Sequence, residues 1–379
     1  MISGVNAEQA KDLFPNCKLK ASVDKERVRR MGMDDFSKYW EATGGTLTVT
    51  LPDGETCQGI SLSFKKETSP LVAEVMDEDG TWRTIGTYDE AHLHGYMPLE
   101  GLNGQNNFRI RVVDKKKTTK IARMNIWSAG ELPKDEVQHW QDMDGEADLM
   151  LIVTHPDDDL IWFGGLLPTY AGEQGKKVIV VYIVGEPSDQ RKNELLDGLW
   201  ICGVKDYPVI GPFRDLGTKN EAAVVRAWGG EDAVPTFLTR LIRQYRPKVV
   251  VAQDESGEYG HKQHVAGVKA VVRSVTELAG DQTFDEASAQ DFGVWTPKKL
   301  YLHMYRENEL KMDWTQPLQA FGGETGESVS ARAFKRHISQ RKTHYHIYMS
   351  GRYDSQRLGL FFSTVGLDEA KNDLFEHIE

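Results

Sequence analysis

Three long apolar runs limit what this chain can fold into. They are LMLIVT (149–154), KVIVVYIV (177–184) and KVVVAQ (248–253), and each is rich in β-branched residues. A strand that is apolar at every position has both faces buried, which is typical of a parallel sheet covered by helices. Amphipathic helical patterns separate the runs. This alternation predicts a doubly wound, Rossmann-like α/β domain with a mostly parallel sheet and right-handed crossovers.

The N-terminal third of the chain follows a different period. GTLTVTL (45–51), GISLSF (59–64) and FRIRV (108–112) alternate apolar and polar residues, and turn signals separate them. Short alternating strands at this spacing predict an antiparallel β-sandwich. The chain is therefore expected to be multidomain, with a β-sandwich over residues 1–130, a linker over 131–147 and the α/β domain over 148–379.

Charge and the lengths of the apolar runs argue against several classes of partner. The 379 residues carry a formal net charge of −11 and contain no long basic run that could neutralise a nucleic-acid backbone. No apolar run reaches the length of a transmembrane helix. The glycine-rich dinucleotide fingerprint and the P-loop pattern are both absent, which disfavours a nucleotide-dependent enzyme. We expect neither nucleic acid nor a transmembrane segment.

Histidine and acidic residues follow the first apolar run directly. The stretch VTHPDDDL places His155, Asp157 and Asp158 at the carboxyl end of a strand, where ligands bind in open α/β sheets. Three adjacent aspartates repel one another and are costly to bury, and a bound cation would offset that cost. The third aspartate, Asp159, is expected to cap the helix that follows.

A second polar cluster, DESGEYGHKQH (254–264), follows the last of the three runs. Its histidines, His261 and His264, are three positions apart at the start of a helical pattern, so both imidazoles lie on one helix face. The two clusters converge if their strands are neighbours in the sheet. Histidine and carboxylate ligands with one open coordination position describe a catalytic zinc site, beside which another carboxylate can act as general base.

These motifs resemble those of the LmbE-like, or PIG-L, zinc-dependent de-N-acetylases. THPDDDL, then RKNE in the next predicted helix, then GEYGHKQH occur in that family's order, and the resemblance covers roughly residues 148–280. It implies a metal-dependent hydrolase that removes an acetyl group from an N-acetylated, amino-sugar-containing substrate. The alternative is a carbohydrate-binding protein whose deacetylase-like domain is catalytically degenerate.

The resemblance implies a zinc ion (Zn2+) as cofactor and indicates which residues bind it and which residue acts as general base. His155 and Asp158 of the first motif and His264 of the second match the zinc ligands. Asp157 matches the general base that activates the metal-bound water.

Further residues match positions that contact the substrate. His261 matches the histidine that stabilises the developing oxyanion or protonates the leaving amine, and Tyr259 matches a tyrosine that assists at the carbonyl. Arg191 and, more loosely, Asp215 match residues that contact the substrate. Trp162 follows the first motif closely; it is expected either to stack on a sugar ring or to pack within the helix.

The sequence departs from the family pattern in two places, one in each motif. Asp159 stands where the family usually has glutamate, which shortens the reach of that carboxyl group. The family usually reads GHPDH where this chain reads GHKQH, so Lys262 and Gln263 are substitutions. The two histidines keep their spacing, but the change can alter substrate preference.

The N-terminal part is similar to discoidin-like, galactose-binding-type β-sandwiches, on its strand pattern and its final strand IARMNIW (121–127). This resemblance implies either glycan binding or a packing role. An appended module of this kind favours a polymer or surface glycoconjugate as substrate. It also favours a secreted or cell-surface protein whose leader is absent from this chain; a cytoplasmic location is the other expectation.

Overall fold

A computed structural model describes residues 8–31, 35–185, 188–340 and 345–378. The chain divides into two compact units, Met1–Trp140 and Gln141–Glu379. The division falls within the segment 131–147.

The first unit is built from antiparallel strands. Among the described residues of this unit, the strands are β1 (Lys18–Ala21), β2 (Trp40–Ala42), β3 (Gly45–Thr50), β4 (Cys57–Phe64), β5 (Leu71–Met76), β6 (Trp82–Tyr88), β7 (His94–Pro98), β8 (Asn107–Val112) and β9 (Thr119–Ser128). Five of them form one sheet in the order β1-β3-β8-β5-β6, and four form another in the order β2-β9-β4-β7. Neighbouring strands pair antiparallel in both sheets.

Strand β3 shows why these residues form a sheet with one covered face. Leu47 and Val49 are buried, whereas Thr46, Thr48 and Thr50, which alternate with them, are partly exposed. This period of two is expected of a strand that buries a single face. The predicted antiparallel β class of the N-terminal region is confirmed.

The second unit is built around a seven-stranded sheet. Its strands are β10 (Leu149–Val153), β11 (Val178–Val184), β12 (Val209–Phe213), β13 (Val249–Ala252), β14 (Lys299–His303), β15 (Glu309–Lys311) and β16 (Arg357–Ser363). Their order is β12-β11-β10-β13-β14-β16-β15. The first five strands of this order are parallel, and β16 pairs antiparallel with both β14 and β15. The predicted mostly parallel sheet is confirmed, and every residue of β10, β11 and β13 is buried.

Helices connect the strands of this sheet. They are α1 (Asp158–Ile161), α2 (Asp189–Ile201), α3 (Glu221–Ala227), α4 (Ala233–Tyr245), α5 (Lys262–Arg273), α6 (Glu286–Phe292) and α7 (Gly326–Phe334). Helix α4 buries Leu238, Leu241 and Ile242 in the core of the unit. It ends where Arg246 turns left-handed, directly before Pro247, which disfavours a helical residue in front of it. Within the described ranges no helix is both long and apolar enough to cross a membrane.

The order of the strands determines where polar side chains meet. Strand β10 lies between β11 and β13, and it pairs in parallel with β13 from Leu149 opposite Val249 to Ile152 opposite Ala252. Both strands therefore end at the same edge of the sheet. The segments that follow them, 154–158 and 253–264, carry the two predicted clusters and lie side by side.

Candidate metal centre and active site

The turn after β10 is buried and its backbone is strained. Asp157 has a φ of 107°, which is rarely adopted by a residue other than glycine and is often found at functional sites. The backbone N–H of His155 donates to Asp158 Oδ2 over 2.7 Å, which closes the turn. His155, Asp157 and Asp158 are each less than a tenth exposed. This hydrogen bond and the burial of the turn hold the strained backbone in place.

Three side-chain atoms from the two segments form a nearly equilateral triangle. His155 Nδ1 lies 3.1 Å from His264 Nε2, and Asp158 Oδ2 lies 3.3 Å from each of those nitrogens. A tetrahedral zinc ion with bonds of about 2.0–2.1 Å separates its ligand atoms by about 3.3 Å. The triangle therefore has the spacing of a metal site, and it brings together the three residues that the family resemblance gives as ligands.

His261 lies next to this triangle. One ligand atom from each of His155, His261 and His264 lies within 4.8 Å of the others, so these three histidines could also hold an ion. That spacing is looser than the triangle formed with Asp158. Burial lowers the pKa of His261 to about 4, so its imidazole is neutral at pH 7. Its buried Nδ1 has no hydrogen-bond partner among the described residues.

The two adjacent carboxyl groups have pKa values that are shifted in opposite directions. Burial raises the pKa of Asp157 to about 8, although the guanidinium of Arg191, with Nη2 3.1 Å from Asp157 Oδ2, opposes the shift. Burial acts on Asp158 in the same sense, but His264 and His155 hold its pKa well below the ordinary value. Such a split is typical of carboxyl groups with separate acid–base and charge-stabilising tasks.

The histidines of the triangle are strongly influenced by acidic neighbours. Burial disfavours the charged form of His264, but Asp158 and Glu258 raise its pKa to about 10. Burial also opposes the charged form of His155, yet Asp158 and Asp215 raise its pKa. Before metal binds, the centre is therefore an assembly of buried opposite charges.

Gln263, one of the two departures from the family pattern, connects Asp215 to this site. Its Nε2 donates to Asp215 Oδ1 over 2.8 Å and to the backbone carbonyl of Leu216 over 2.9 Å. Asp215 Oδ1 in turn lies 3.6 Å from His155 Nε2, and this contact holds the pKa of Asp215 well below its ordinary value. Gln263 thus fixes a half-exposed carboxylate at the edge of the metal centre.

Trp162 packs inside the fold and supports a carboxylate. The side chain is only 1% exposed, and its ring stacks on Tyr348 with centroids 5.2 Å apart. Its Nε1 donates to Asp158 Oδ1 over 2.9 Å. The packing role that the sequence allowed is therefore what the structure shows, and stacking on a sugar ring stays a prediction.

Tyr259 is the most exposed of the predicted site residues. Its side chain is 45% exposed, and its hydroxyl accepts a hydrogen bond from the Tyr345 hydroxyl over 3.1 Å.

Asp159 does not cap helix α1 as expected. The N-cap is Asp157, and Asp159 lies within the first turn, where its Oδ1 accepts the backbone N–H of Asp157. Burial raises the pKa of Asp159 to about 7.

All nine residues predicted for the site line one cavity of about 150 Å³. Its lining is formed by His155, Asp157, Asp158, Ile161, Trp162, Arg191, Asp215, Tyr259, His261, His264, Gln340 and Tyr345. A larger cavity of about 750 Å³ lies among α3, α4 and α5, but no histidine lines it. Catalysis needs convergent titratable groups more than volume, so the smaller cavity is the candidate active site.

Glu258 was not among the site residues predicted from the sequence, yet its carboxylate contacts both His264 and His303. Glu258 stands inside the second motif between Gly257 and Gly260, in a stretch that reads as an exposed turn. The signal that could have found it is an acidic residue six positions before a predicted ligand. Such a residue can supply the carboxylate that metal-binding histidines commonly contact.

Comparison with known proteins finds a family model that matches the segment carrying all nine predicted site residues. Residues 150–275 match the family model described as PIG-L: GlcNAc-PI de-N-acetylase. The 1D-myo-inositol 2-acetamido-2-deoxy-alpha-D-glucopyranoside deacetylase 1 of Catenulispora acidiphila is 28% identical over 216 residues, which cover 49% of this chain and 65% of that protein. The corresponding deacetylase of Rhodococcus opacus is 31% identical over 182 residues, which cover 41% of this chain and 61% of that protein. The chain thus spans less than two thirds of the length of these relatives.

A solved structure is also similar. The N,N'-diacetylchitobiose deacetylase from Pyrococcus horikoshii is 20% identical, with a TM-score of 0.37, and the match covers 52% of this chain and 72% of that one. The family model and the curated relatives support the resemblance of the second unit to PIG-L de-N-acetylases.

Proposed function

We propose that this chain, whose residues 150–275 match the PIG-L model, is a zinc-dependent N-deacetylase acting on an N-acetylated, amino-sugar-containing substrate. The observation that carries the proposal is the triangle of His155 Nδ1, Asp158 Oδ2 and His264 Nε2, with Asp157 beside it. The printed names of the curated relatives, which are deacetylases of a 2-acetamido sugar, support the substrate class.

The triangle supplies the ligands that zinc prefers. His155, Asp158 and His264 would hold the ion through two imidazole nitrogens and one carboxylate oxygen, which leaves a fourth position open. A zinc ion bound in this way acts as a Lewis acid, which polarises a carbonyl oxygen and lowers the pKa of water towards about 7.

Asp157 is placed to move the proton of the attacking water. Burial raises its pKa, and positive charge in the triangle shifts that pKa back towards neutrality, where a general base works best. Arg191 Nη2 lies 3.1 Å from Asp157 Oδ2 and also donates to the backbone carbonyl of Pro156. The carboxylate is therefore held in one orientation and can accept a proton from water.

His261 and Tyr259 line the cavity beside the triangle, where the amide would bind. A neutral His261 can donate a ring N–H to the carbonyl oxygen as that oxygen gains negative charge, and the Tyr259 hydroxyl can donate to it as well. The C–N bond breaks when the nitrogen receives the proton that the Asp157 carboxyl group took from the water. The products are acetate and a free amine.

The proposal includes the organisation of the whole chain. Residues 1–130 form a discoidin-like β-sandwich that binds glycan, 131–147 a linker, and 148–379 a Rossmann-like deacetylase domain. Two antiparallel sheets in the first unit support this assignment. A glycan-binding module suits a protein that acts on surface glycoconjugates outside the cell.

The direct test is acetate release by the zinc-loaded full chain. N-acetylglucosamine, N,N'-diacetylchitobiose and an N-acetylglucosaminyl inositol are the substrates to compare, and we expect at least one to yield acetate and amine in equal amounts. A chain that binds zinc yet releases no acetate from any of them contradicts the proposed reaction. A chain that takes up no zinc and still binds these sugars supports the alternative, a carbohydrate-binding protein with a degenerate site.

A further inference from the structure

Glu258 is a buried carboxylate that takes no part in the reaction steps proposed above. Its side chain is fully buried, and its backbone has a φ of 53°, in the left-handed region that disfavours a residue with a side chain. A carboxylate buried in this way needs polar partners, because its desolvation is costly. A residue with both features is expected to be held there by its contacts.

Those contacts come from three separate elements. Glu258 Oε2 lies 2.7 Å from Nδ1 of His264 in α5. Glu258 Oε1 accepts the backbone N–H of Asp254 over 2.9 Å, just after β13, and lies 3.4 Å from Nδ1 of His303 at the end of β14. One carboxylate thus joins a predicted zinc ligand to the ends of two neighbouring strands.

The surrounding hydrogen bonds determine which nitrogen of His264 carries a proton. Gln253 Nε2 also lies 3.0 Å from His264 Nδ1, but Gln253 Oε1 accepts from both the backbone N–H and the hydroxyl of Thr154. Gln253 can therefore offer only N–H groups to the ring, and these compete with a proton on Nδ1. The contact of Nδ1 with the Glu258 carboxylate is shorter and charge-assisted, so it decides the position of the proton. An ionised carboxylate accepts hydrogen bonds and donates none, so the 2.7 Å contact requires a proton on His264 Nδ1. His264 Nε2, which faces His155 and Asp158, is then the nitrogen that gives up its proton when a metal binds.

We propose that Glu258 is the positioning residue of the metal centre: it accepts the Nδ1–H of His264 and so presents the unprotonated Nε2 to the metal. The proposal rests on the metal centre of the proposed function. A carboxylate behind a ligating histidine fixes the tautomer and orientation of the ring and strengthens the ligand. His303 fixes the other carboxylate oxygen, and its Nε2 lies 3.3 Å from the backbone carbonyl of Asp354.

The support for His264 therefore extends beyond the segment that matches the family. His303 and Asp354 lie outside residues 150–275, and His303 is fully buried. Strand β14 and the segment before β16 thus hold the carboxylate that orients the ligand. This arrangement predicts that the metal affinity depends on residues that are not themselves ligands.

The test is the zinc affinity of the full chain, measured by competition with a chelator of known affinity. Glu258→Gln keeps the size of the side chain but replaces one acceptor oxygen with an amide, and we expect zinc to bind about 10–100-fold more weakly. The matched control is Asp206→Asn, a buried carboxylate of the same unit that bonds Gln141 and lies outside the cavity. The control should bind zinc as the unmodified chain does.

A second measurement needs no variant and so does not depend on whether Glu258→Gln folds. Nitrogen-15 spectra of the histidine rings in the zinc-loaded chain should show His264 with its proton on Nδ1 and zinc on Nε2. A proton on Nε2, or a Glu258→Gln affinity within twofold of the unmodified chain, would overturn the positioning role. A chain that binds no zinc at all would instead overturn the metal centre of the proposed function.

Discussion

His155 Nδ1 lies 3.1 Å from His264 Nε2, although 109 positions separate the two residues in the sequence. The parallel pairing of β10 with β13 brings them together, since both strands end at the same edge of the sheet. Asp158 Oδ2 completes the triangle at 3.3 Å from each nitrogen. Two imidazoles at this distance repel when both are charged, and a shared cation removes that repulsion.

The ligand set can be tested by the metal content of variants. The tight triangle includes Asp158, whereas the looser group of histidines includes His261. We expect Asp158→Ala and His264→Ala to lose most of their zinc, and His261→Ala to retain about one ion per chain as measured by elemental analysis. Retention of zinc by Asp158→Ala together with its loss from His261→Ala would reverse the assignment.

Removing the base should separate metal binding from catalysis. Asp157→Asn keeps the shape of the side chain but cannot accept a proton, so we expect kcat to fall by about 10²–10⁴-fold. Zinc content should be unchanged, because Asp157 is not part of the triangle. The measurement is steady-state acetate release on samples of equal zinc content; a rate within threefold of the unmodified chain would exclude Asp157 as the base.

Much of the fold follows from local patterns in the sequence. Residues 149–153 are apolar at every position because β10 is buried on both faces, and alternation at 45–51 reflects the single buried face of β3. The tail after residue 306 gives no such signal. Strand β16 is inserted between β14 and β15, and no local period reveals such a long-range pairing.

The residues of the site could be named from their motifs, but several of their contacts could not. Gln263 and Asp215 are 48 positions apart, and their hydrogen bond depends on how α5 packs beside the segment after β12. Glu258 lies in a glycine-containing turn whose composition suggests exposure, yet it is buried by its contacts with His264 and His303. Tertiary packing determines such partners.

Gln263 provides a test of how Asp215 is held. Gln263→Ala removes the hydrogen bonds to Asp215 and Leu216, which leaves the Asp215 carboxylate less ordered beside the cavity. We expect KM to rise by about 5–30-fold, which corresponds to a loss of about 1–2 kcal/mol of substrate-binding free energy, while kcat changes less. Its neighbour Lys262→Ala is the matched control and should leave KM within twofold. An unchanged KM in Gln263→Ala would show that Asp215 does not depend on this bond.

His337 predicts a pH dependence of stability that is independent of the metal. The ring is 1% exposed, and neither nitrogen has a hydrogen-bond partner within the described ranges. Burial, reinforced by the charge of Arg191, lowers its pKa to about 3, whereas the unfolded chain has the ordinary value of 6.5. A lowered pKa means that the unfolded state binds the proton first, so stability is lost as the pH falls from 6.5 towards 3.

The experiment compares the unmodified chain with His337→Phe by urea unfolding at pH 7 and pH 5, with chelator present. The unmodified chain should lose about 2 kcal/mol more of its free energy of unfolding than the variant over this interval. Packing differences affect both pH values alike and cancel in the comparison. Equal losses in the two proteins would mean that His337 is not buried in its neutral form.

The proposed function requires that one zinc ion is bound by atoms from both segments, 154–158 and 253–264. The most direct measurement is X-ray diffraction from zinc-soaked crystals at wavelengths on either side of the zinc absorption edge. We predict one strong anomalous peak about 2.0–2.2 Å from His155 Nδ1, a carboxylate oxygen of Asp158 and His264 Nε2. A zinc peak beside other residues, or no peak in crystals of the folded chain, would contradict the binding of zinc by His155, Asp158 and His264.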